Sequence, residues 1–243
     1  MNNFFYFFLL LCITSSASAS VVIMGTRVIY PEEKKSINVQ LNNGDSSPSL
    51  IQSWIDDGNA SATPDSVKVP FIITPPIFRM EPRTGQTLRI MYTGESLAKD
   101  RESIFWLNVL DIPAKPKTEE KDTFSQNNNY LQLAVRNRIK FFFRPENIKL
   151  SPGDSYEKVV WSIEKKASGS FLKVNNPTPY FITYNQITVK KNGKTIATAE
   201  GGMVSPFSSE VFPLNTKATS GDSVQWVIVN DYGGYQKGQA VLK

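Results

Sequence analysis

Apolar residues in this chain recur at every second position, in short runs that turn-forming residues keep cutting off. Ile37-Asn38-Val39-Gln40-Leu41 alternates and stops at Asn42-Asn43-Gly44. Ile51-Gln52-Ser53-Trp54-Ile55 stops at Asp56-Asp57-Gly58, and Leu88-Arg89-Ile90-Met91-Tyr92 stops at Thr93-Gly94. Val28-Ile29-Tyr30 ends at Pro31, and Ile104 to Val109 stops near Pro113. Such runs are strand-length, rich in β-branched and aromatic residues, and bounded by turn chemistry. With 15 prolines and 14 glycines in 243 residues, a long helix has no place to form. The expected class is all-β, built as sandwiches.

A boundary is expected at Arg144-Pro145-Glu146-Asn147, after which Ser151-Pro152-Gly153-Asp154 opens a second set of runs. These are Val159 to Ile163, Phe171 to Val174, Tyr180 to Val189 and, as the last strand, Val224 to Val229. Lys191-Asn192-Gly193-Lys194 has the Asn-Gly centre of a two-residue hairpin. The expected domains are residues 20–145 and 146–243, within the ordinary size range of single domains.

Residues 1–19 stand apart. Phe4 to Ile13 is an apolar run of about ten residues, too short for a spanning helix, which needs about 20. Ala17-Ser18-Ala19 then supplies the small-x-small pattern of a cleavage site, so 1–19 reads as a secretory signal peptide. Asn2 and Asn3 depart from that pattern by supplying no positive charge. No other segment could span a bilayer, so the mature protein is expected to be exported, without stable membrane insertion. Net charge is +5, but lysine and arginine are spread along the chain, which favours solubility over nucleic-acid binding.

There is no histidine, and the single cysteine, Cys12, lies inside the removable stretch. That excludes Ser-His-Asp and Cys-His catalysis, thiolate or imidazole zinc sites, and structural disulfides. Carboxylate chemistry, Ser-Lys chemistry and oxygen-ligand metal sites survive. Gly193-Lys194-Thr195 is not a phosphate loop, because Thr188 stands where the pattern needs glycine. Glu32-Glu33, Asp56-Asp57 and Glu119-Glu120 fall in turn-like segments and are expected to be solvated.

The stretch Leu131 to Arg144 is unusually long for one strand, where about five or six residues is typical. By the two-residue pleat, Leu131, Leu133, Val135, Ile139, Phe141 and Phe143 share one face, and Gln132, Arg136, Arg138 and Lys140 the other. Residues 139–143 read as core. Leu131 to Val135 follow a polar loop, 115–130, and an exposed alternating edge there would invite pairing with another chain.

These residues carry a resemblance. Leu97 to Pro113 (LAKDRESIFWLNVLDIP) is similar to the signature segment of periplasmic pilus chaperones of the chaperone–usher pathway. TRVIY at 26–30, QSWI at 52–55, TPPIFR at 74–79, IKFFFRP at 139–145 and NDYGG at 230–234 follow in the family's order. The resemblance implies two immunoglobulin-like sandwiches in an L or boomerang arrangement, with binding in the cleft between them. It implies that Arg27 and Lys140 grip the C-terminal carboxylate of a pilus subunit, and that Leu131, Leu133 and Val135 fill the subunit's open groove on a lent strand. Glu102, Arg144 and Asp231 match a charge network between the domains. Leu50, Gln52, Thr74, Pro75, Pro76, Ile77 and Arg89 match a face that contacts an outer-membrane usher. By regular pleat Lys140 and Leu133 lie on opposite faces, so either a bulge shifts the register or they serve different surfaces.

The implied activity is a periplasmic chaperone that binds, folds and caps pilus subunits by donor-strand complementation and delivers them to the usher. No catalysis, metal or cofactor is needed. A self-capping dimer of the free protein is open. The loop at 115–130 lacks cysteine and is moderate in length, which resembles the short-loop subclass, and Ala114 stands where the family often has a second proline. The competing readings are a secreted carbohydrate-binding or adhesive sandwich protein, and a hydrolase using Glu102 and Asp231 as a carboxylate pair.

Overall fold

The computed structural model describes residues 21–115, 131–166, 169–214 and 218–243. The expected signal peptide, Glu119-Glu120 and nearly all of the loop at 115–130 lie outside the described residues. Among the described residues nine strands precede residue 145: β1 (Val21–Ile23), β2 (Arg27–Pro31), β3 (Ile37–Asn43), β4 (Ser49–Asp56), β5 (Phe71–Thr74), β6 (Ile77–Met80), β7 (Gly85–Tyr92), β8 (Ser103–Pro113) and β9 (Val135–Arg144). They form a four-stranded sheet ordered β1-β3-β7-β5 and a five-stranded sheet ordered β2-β9-β8-β4-β6. Alternation then decides the packing. In β3, Val39 and Leu41 are buried while Asn38 and Gln40 face out. Phe105, Leu107 and Val109 of β8 and Phe141 and Phe143 of β9 meet them from the facing sheet. An aromatic cluster sits at the centre, with Tyr92 and Phe143 rings 4.6 Å apart and Phe71 and Phe141 4.8 Å apart in an edge-on arrangement.

Beyond residue 145 a one-turn helix, α1 (Pro152–Ser155), has its first turn capped by the Ser151 hydroxyl, which accepts the Asp154 amide at 3.2 Å. Seven strands follow: β10 (Val160–Lys166), β11 (Gly169–Asn176), β12 (Ile182–Lys191), β13 (Lys194–Val204), β14 (Ser208–Leu214), β15 (Ser223–Val229) and β16 (Tyr235–Val241). They form sheets ordered β10-β11-β14 and β13-β12-β15-β16 around a core that includes Trp161, Leu172, Ile187, Val224 and Trp226. The Asn-Gly turn joins β12 to β13, with Asn192 and Gly193 at φ 49° and 78°, the left-handed backbone that such a turn requires.

One open point is resolved and two expectations need correction. Of Leu131 to Val135, which the sequence left open, only Val135 joins the strand. Its partner β8 supplies no pairing beyond Asp111, because Ala114 bonds back to the Pro48 carbonyl at 3.1 Å and Pro113 has no amide to give. Val224 to Val229 is not the last strand, since β16 pairs along its whole length. The sequence YQKGQAV hides this strand behind polar residues and Gly238. The glycine is required there, because a Cβ would lie 2.1 Å from the Trp226 ring. Asp56 is not solvated but fully buried, for reasons given below.

Candidate functional site

β2 and β9 run parallel, and their register sets Arg27 directly beside Lys140. Both side chains face away from the sandwich core, toward the second domain. Arg27 Nη1 donates to the Val229 carbonyl at the end of β15 at 2.7 Å, and Lys140 Nζ donates to Thr183 Oγ1 on β12 at 2.9 Å. Among the described residues neither cation has a carboxylate within ion-pairing distance, and Arg27 Nε is buried with no partner. The two line a cavity of about 290 Å³ together with Thr26, Trp106, Val229 and Tyr235. Burial disfavours both charges. It lowers the Arg27 pKa, and burial together with the charge of Arg27 brings Lys140 down to about 8. Two half-buried cations with spare donors and no carboxylate in direct contact, Arg27 feeling Asp231 only through space, make a receptor for one anion. A carboxylate suits it, accepting charge-assisted bonds from both.

At the other end of β9 the chain is exposed. Leu131, Leu133 and Val135 are 82%, 62% and 50% accessible. Pairing with β8 is unbroken from Val135 to Phe143, so no bulge intervenes, and Val135 and Lys140 sit on opposite faces of one regular strand. On its other side β9 meets β2 only from Lys140 onward, leaving 135–139 as an open sheet edge among the described residues. The exposed apolar side chains, at the start of β9 and just before it, and Lys140 of the anion receptor therefore follow one another along one stretch of chain.

The structure brings Glu102, Arg144 and Asp231 together. Arg144 donates to Glu102 Oε1 at 2.9 Å through Nε and to Asp231 Oδ2 at 2.8 Å through Nη1. Glu102 is 4% exposed, and its second oxygen accepts the Phe181 amide at 3.0 Å. Burial pushes the Glu102 carboxyl up, against the opposing charge of Arg144. Burial alone would lower Arg144, but the bond to Asp231 and the charge of Glu102 hold its guanidinium above the ordinary value. Phe142, on the outward face of β9, is buried against Phe181 with ring centroids 5.7 Å apart. Sequence parity placed Phe142 among the charged residues, and only the second domain explains its burial.

Of the face expected to meet an usher, Leu50 and Gln52 of β4 lie beside Arg79 and Ile77 of β6, and Leu50 and Ile77 are exposed. Thr74 pairs with Arg89 on the other sheet. These two groups belong to different sheets and are joined by the turn through Pro75 and Pro76, so the set wraps around one edge of the sandwich.

Sequence reasoning missed one cluster. Asp56 Oδ1 and Oδ2 accept Arg138 Nη2 and Nε at 2.6 and 2.9 Å, and Asn108 donates to Oδ2 at 2.7 Å. Arg138 lies over the Trp106 ring at 4.1 Å and Arg136 over Trp54 at 4.7 Å. The cluster is set by the register of β8 on β9, which places Asn108 opposite Arg138 and Trp106 opposite Lys140, and no local pattern carried that signal. Glu32 is likewise engaged rather than free, accepting from Lys99 and from the Glu146 amide.

Comparison with known proteins then decides the family. Residues 20–149 match the sequence pattern of "Pili and flagellar-assembly chaperone, PapD N-terminal domain", and residues 154–240 match "Pili assembly chaperone PapD, C-terminal domain". The chain belongs to the pilus-assembly chaperone family. Chaperone protein HifB of Haemophilus influenzae is 45% identical over 225 residues, covering 92% of this chain and 88% of HifB. The probable fimbrial chaperone YadV of Escherichia coli is 42% identical over 226 residues, covering 91% and 89%. The crystal structure of the YadV chaperone superposes with a TM-score of 0.76 at 38% identity, covering 92% of this chain and all of that one. The SafB chaperone, solved in complex with the Salmonella enterica SafA pilin, gives 0.73 at 29% identity, covering 94% and 99%. The two-domain, immunoglobulin-like β architecture is thus the family's fold. Among the described residues no helix is long and apolar enough to cross a membrane.

Proposed function

We propose that this chain is a periplasmic chaperone that captures pilus subunits in its cleft, caps them with a lent strand and passes them to an outer-membrane usher. The observation that carries this is the composition of β9 and the residues before it. One end presents three exposed apolar side chains, and farther along Lys140 sits beside Arg27 of β2, the two cations having no carboxylate in direct contact. Arg27 and Lys140 grip the subunit's terminal carboxylate and so set the register. Leu131, Leu133 and Val135 then enter the subunit's groove, each burial worth about 1.5–3 kcal/mol, while the strand edge satisfies unpaired backbone groups. Burial and pairing supply the driving force, so no cofactor or nucleotide is required.

Glu102, Arg144 and Asp231 set the angle between the sandwiches, a specificity role for a buried ion network. Glu102 is 4% exposed and both its oxygens are already engaged, by Arg144 and by the Phe181 amide, which leaves no approach for a substrate and argues against a hydrolase. Trp54 and Trp106 lie under arginines, which argues against a sugar-stacking face. Leu50, Gln52, Thr74, Pro75, Pro76, Ile77 and Arg89 form the usher-contact face. Residues 1–19 are the leader that directs export, and the chain divides into domains 20–145 and 146–243. The open edge of β9 also lets two free copies cap one another.

The test is co-purification of a pilus subunit from periplasmic extracts. Arg27→Ala and Lys140→Ala are expected to lose the subunit while remaining folded. Wild-type yield with both variants would overturn the anchor.

A further inference from the structure

Lys140 is an amine set beside a guanidinium in a small cavity, and that setting suits chemistry as well as grip. Its side chain lines the cavity of about 290 Å³ with Arg27, Trp106, Arg138 and Tyr235. Nζ meets Thr183 Oγ1 at 2.9 Å, and among the described residues no carboxylate pairs with it. The nearby acids are taken: Asp56 by Arg138, and Asp231 by Arg144. Arg27 stands next to Lys140 across one strand spacing, about 4.8 Å at the backbone. Its Nη1 is engaged by the Val229 carbonyl, while the buried Nε has no partner. Burial and the charge of Arg27 bring the Lys140 pKa to about 8. At pH 8 about half of these amines then carry no proton, against under about 1% for a lysine at the ordinary value of about 10.4.

An uncharged amine with a cation beside it meets both needs of carbamate formation: a free lone pair, and a partner for the anion produced. We propose that Lys140 is a modification site for dissolved carbon dioxide, forming a carbamate whose carboxylate is held by Arg27. The ammonium first gives one proton to water. The Nζ lone pair then forms an N–C bond to the carbon of CO2, one C=O bonding pair moves onto oxygen, and a second proton leaves the nitrogen for solvent. Lys140 changes from +1 to −1 and two protons are released, so charge and atoms balance. Arg27 makes charge-assisted bonds to the new oxygens, and the Thr183 hydroxyl turns from acceptor to donor. The receptor is thereby filled from within, so the modified protein has no place for a subunit's terminal carboxylate. That consequence rests on the anchor reading above, whereas the modification does not.

The test incubates the full chain, purified from the periplasm, with 13C-bicarbonate at pH 8. Carbamates are trapped as ethyl esters with a trialkyloxonium salt and located by peptide mass. Lys140 is expected to be trapped at least about tenfold more than exposed lysines such as Lys173 and Lys237. Arg27→Met, checked for folding by tryptophan fluorescence, is expected to lower that yield about tenfold, since it removes a charge-assisted partner. Should Arg27→Met fail to fold, saturating acetate on the wild type replaces it and is expected to lower the yield similarly by competing for Arg27. Trapping at Lys140 no greater than at Lys173 would overturn the inference, as would a yield that neither Arg27→Met nor acetate changes. Bicarbonate held only as a free anion leaves no mass on Lys140 and would overturn it too. Subunit capture at fixed pH and ionic strength is expected to fall as the carbamate accumulates. Full capture by protein carrying the Lys140 carbamate would overturn the anchor reading and leave the modification standing.

Discussion

Replacing Arg144 with alanine strips the counter-charge from a carboxylate that water does not reach. Glu102 is 4% exposed and keeps only the Phe181 amide once the guanidinium is gone. Breaking a buried pair from one side costs about 3–5 kcal/mol, whereas the contact to Asp231, with that side chain 26% exposed, is worth under about 1 kcal/mol. The uncompensated Glu102 therefore dominates, and Arg144→Ala is expected to lose about 3–5 kcal/mol at pH 7. The sign of the pH dependence follows from burial. The Glu102 pKa already stands above its ordinary value and rises further without Arg144, so the folded variant takes up a proton more readily than the unfolded one. Its deficit is largest at neutral pH and shrinks as the pH falls and Glu102 is protonated. Urea denaturation followed by tryptophan fluorescence reads both domains, since Trp54 and Trp106 lie in the first and Trp161 and Trp226 in the second. Adding Glu102→Gln to Arg144→Ala is expected to recover part of the loss, because an amide needs no counter-charge. The reasoning is refuted if Arg144→Ala stays within about 1 kcal/mol of wild type, or if Glu102→Gln deepens the loss instead of relieving it.

Other outcomes follow from the same geometry. Burial holds Lys140 at about 8, so subunit capture is expected to weaken as pH rises through 8 and the ammonium is lost, a trend that pull-down yields across pH 7–9.5 would reveal. In the free protein the depressed pKa works the other way. The folded state gives up this proton before the unfolded state does, so wild type gains stability relative to Lys140→Met as pH rises from about 8 toward the unfolded value near 10.4. Gly238→Ala would place a methyl group 2.1 Å from the Trp226 ring, and overpacking of this kind costs about 1–3 kcal/mol. That loss should appear in the second domain's thermal transition and leave the first unchanged.

Much of the fold was legible from strand periodicity, because one face of each strand is buried and the other is not. Ile37 to Leu41 and Leu88 to Tyr92 alternate cleanly and became β3 and β7. What escaped was set by neighbours distant in sequence. Phe142 is apolar on a charged face because Phe181 of the other domain covers it. Tyr235 to Val241 has almost no apolar face, and pairing with β15 makes it a strand. Asp56 looks like a turn residue until Arg138, 82 positions later, folds over it. The same limit applies to the cleft. Arg27 and Lys140 were recognisable as a pair only through the family resemblance, since parallel pairing of β2 with β9 is what sets them side by side. Their partners Thr183 and Val229, on the second domain, carried no signal of their own.

The central claim is that the segment Leu131 to Val135 becomes a strand of the captured subunit. Backbone amide hydrogen exchange across residues 131–135, in the free protein and in a purified complex with a pilus subunit, tests it most directly. Outside Val135 these residues lie in no strand of the free protein, so their amides are expected to exchange rapidly there. The account expects strong protection of the same amides in the complex, lost together with the complex in Leu133→Asp. Rapid exchange of residues 131–135 in an intact complex would contradict it.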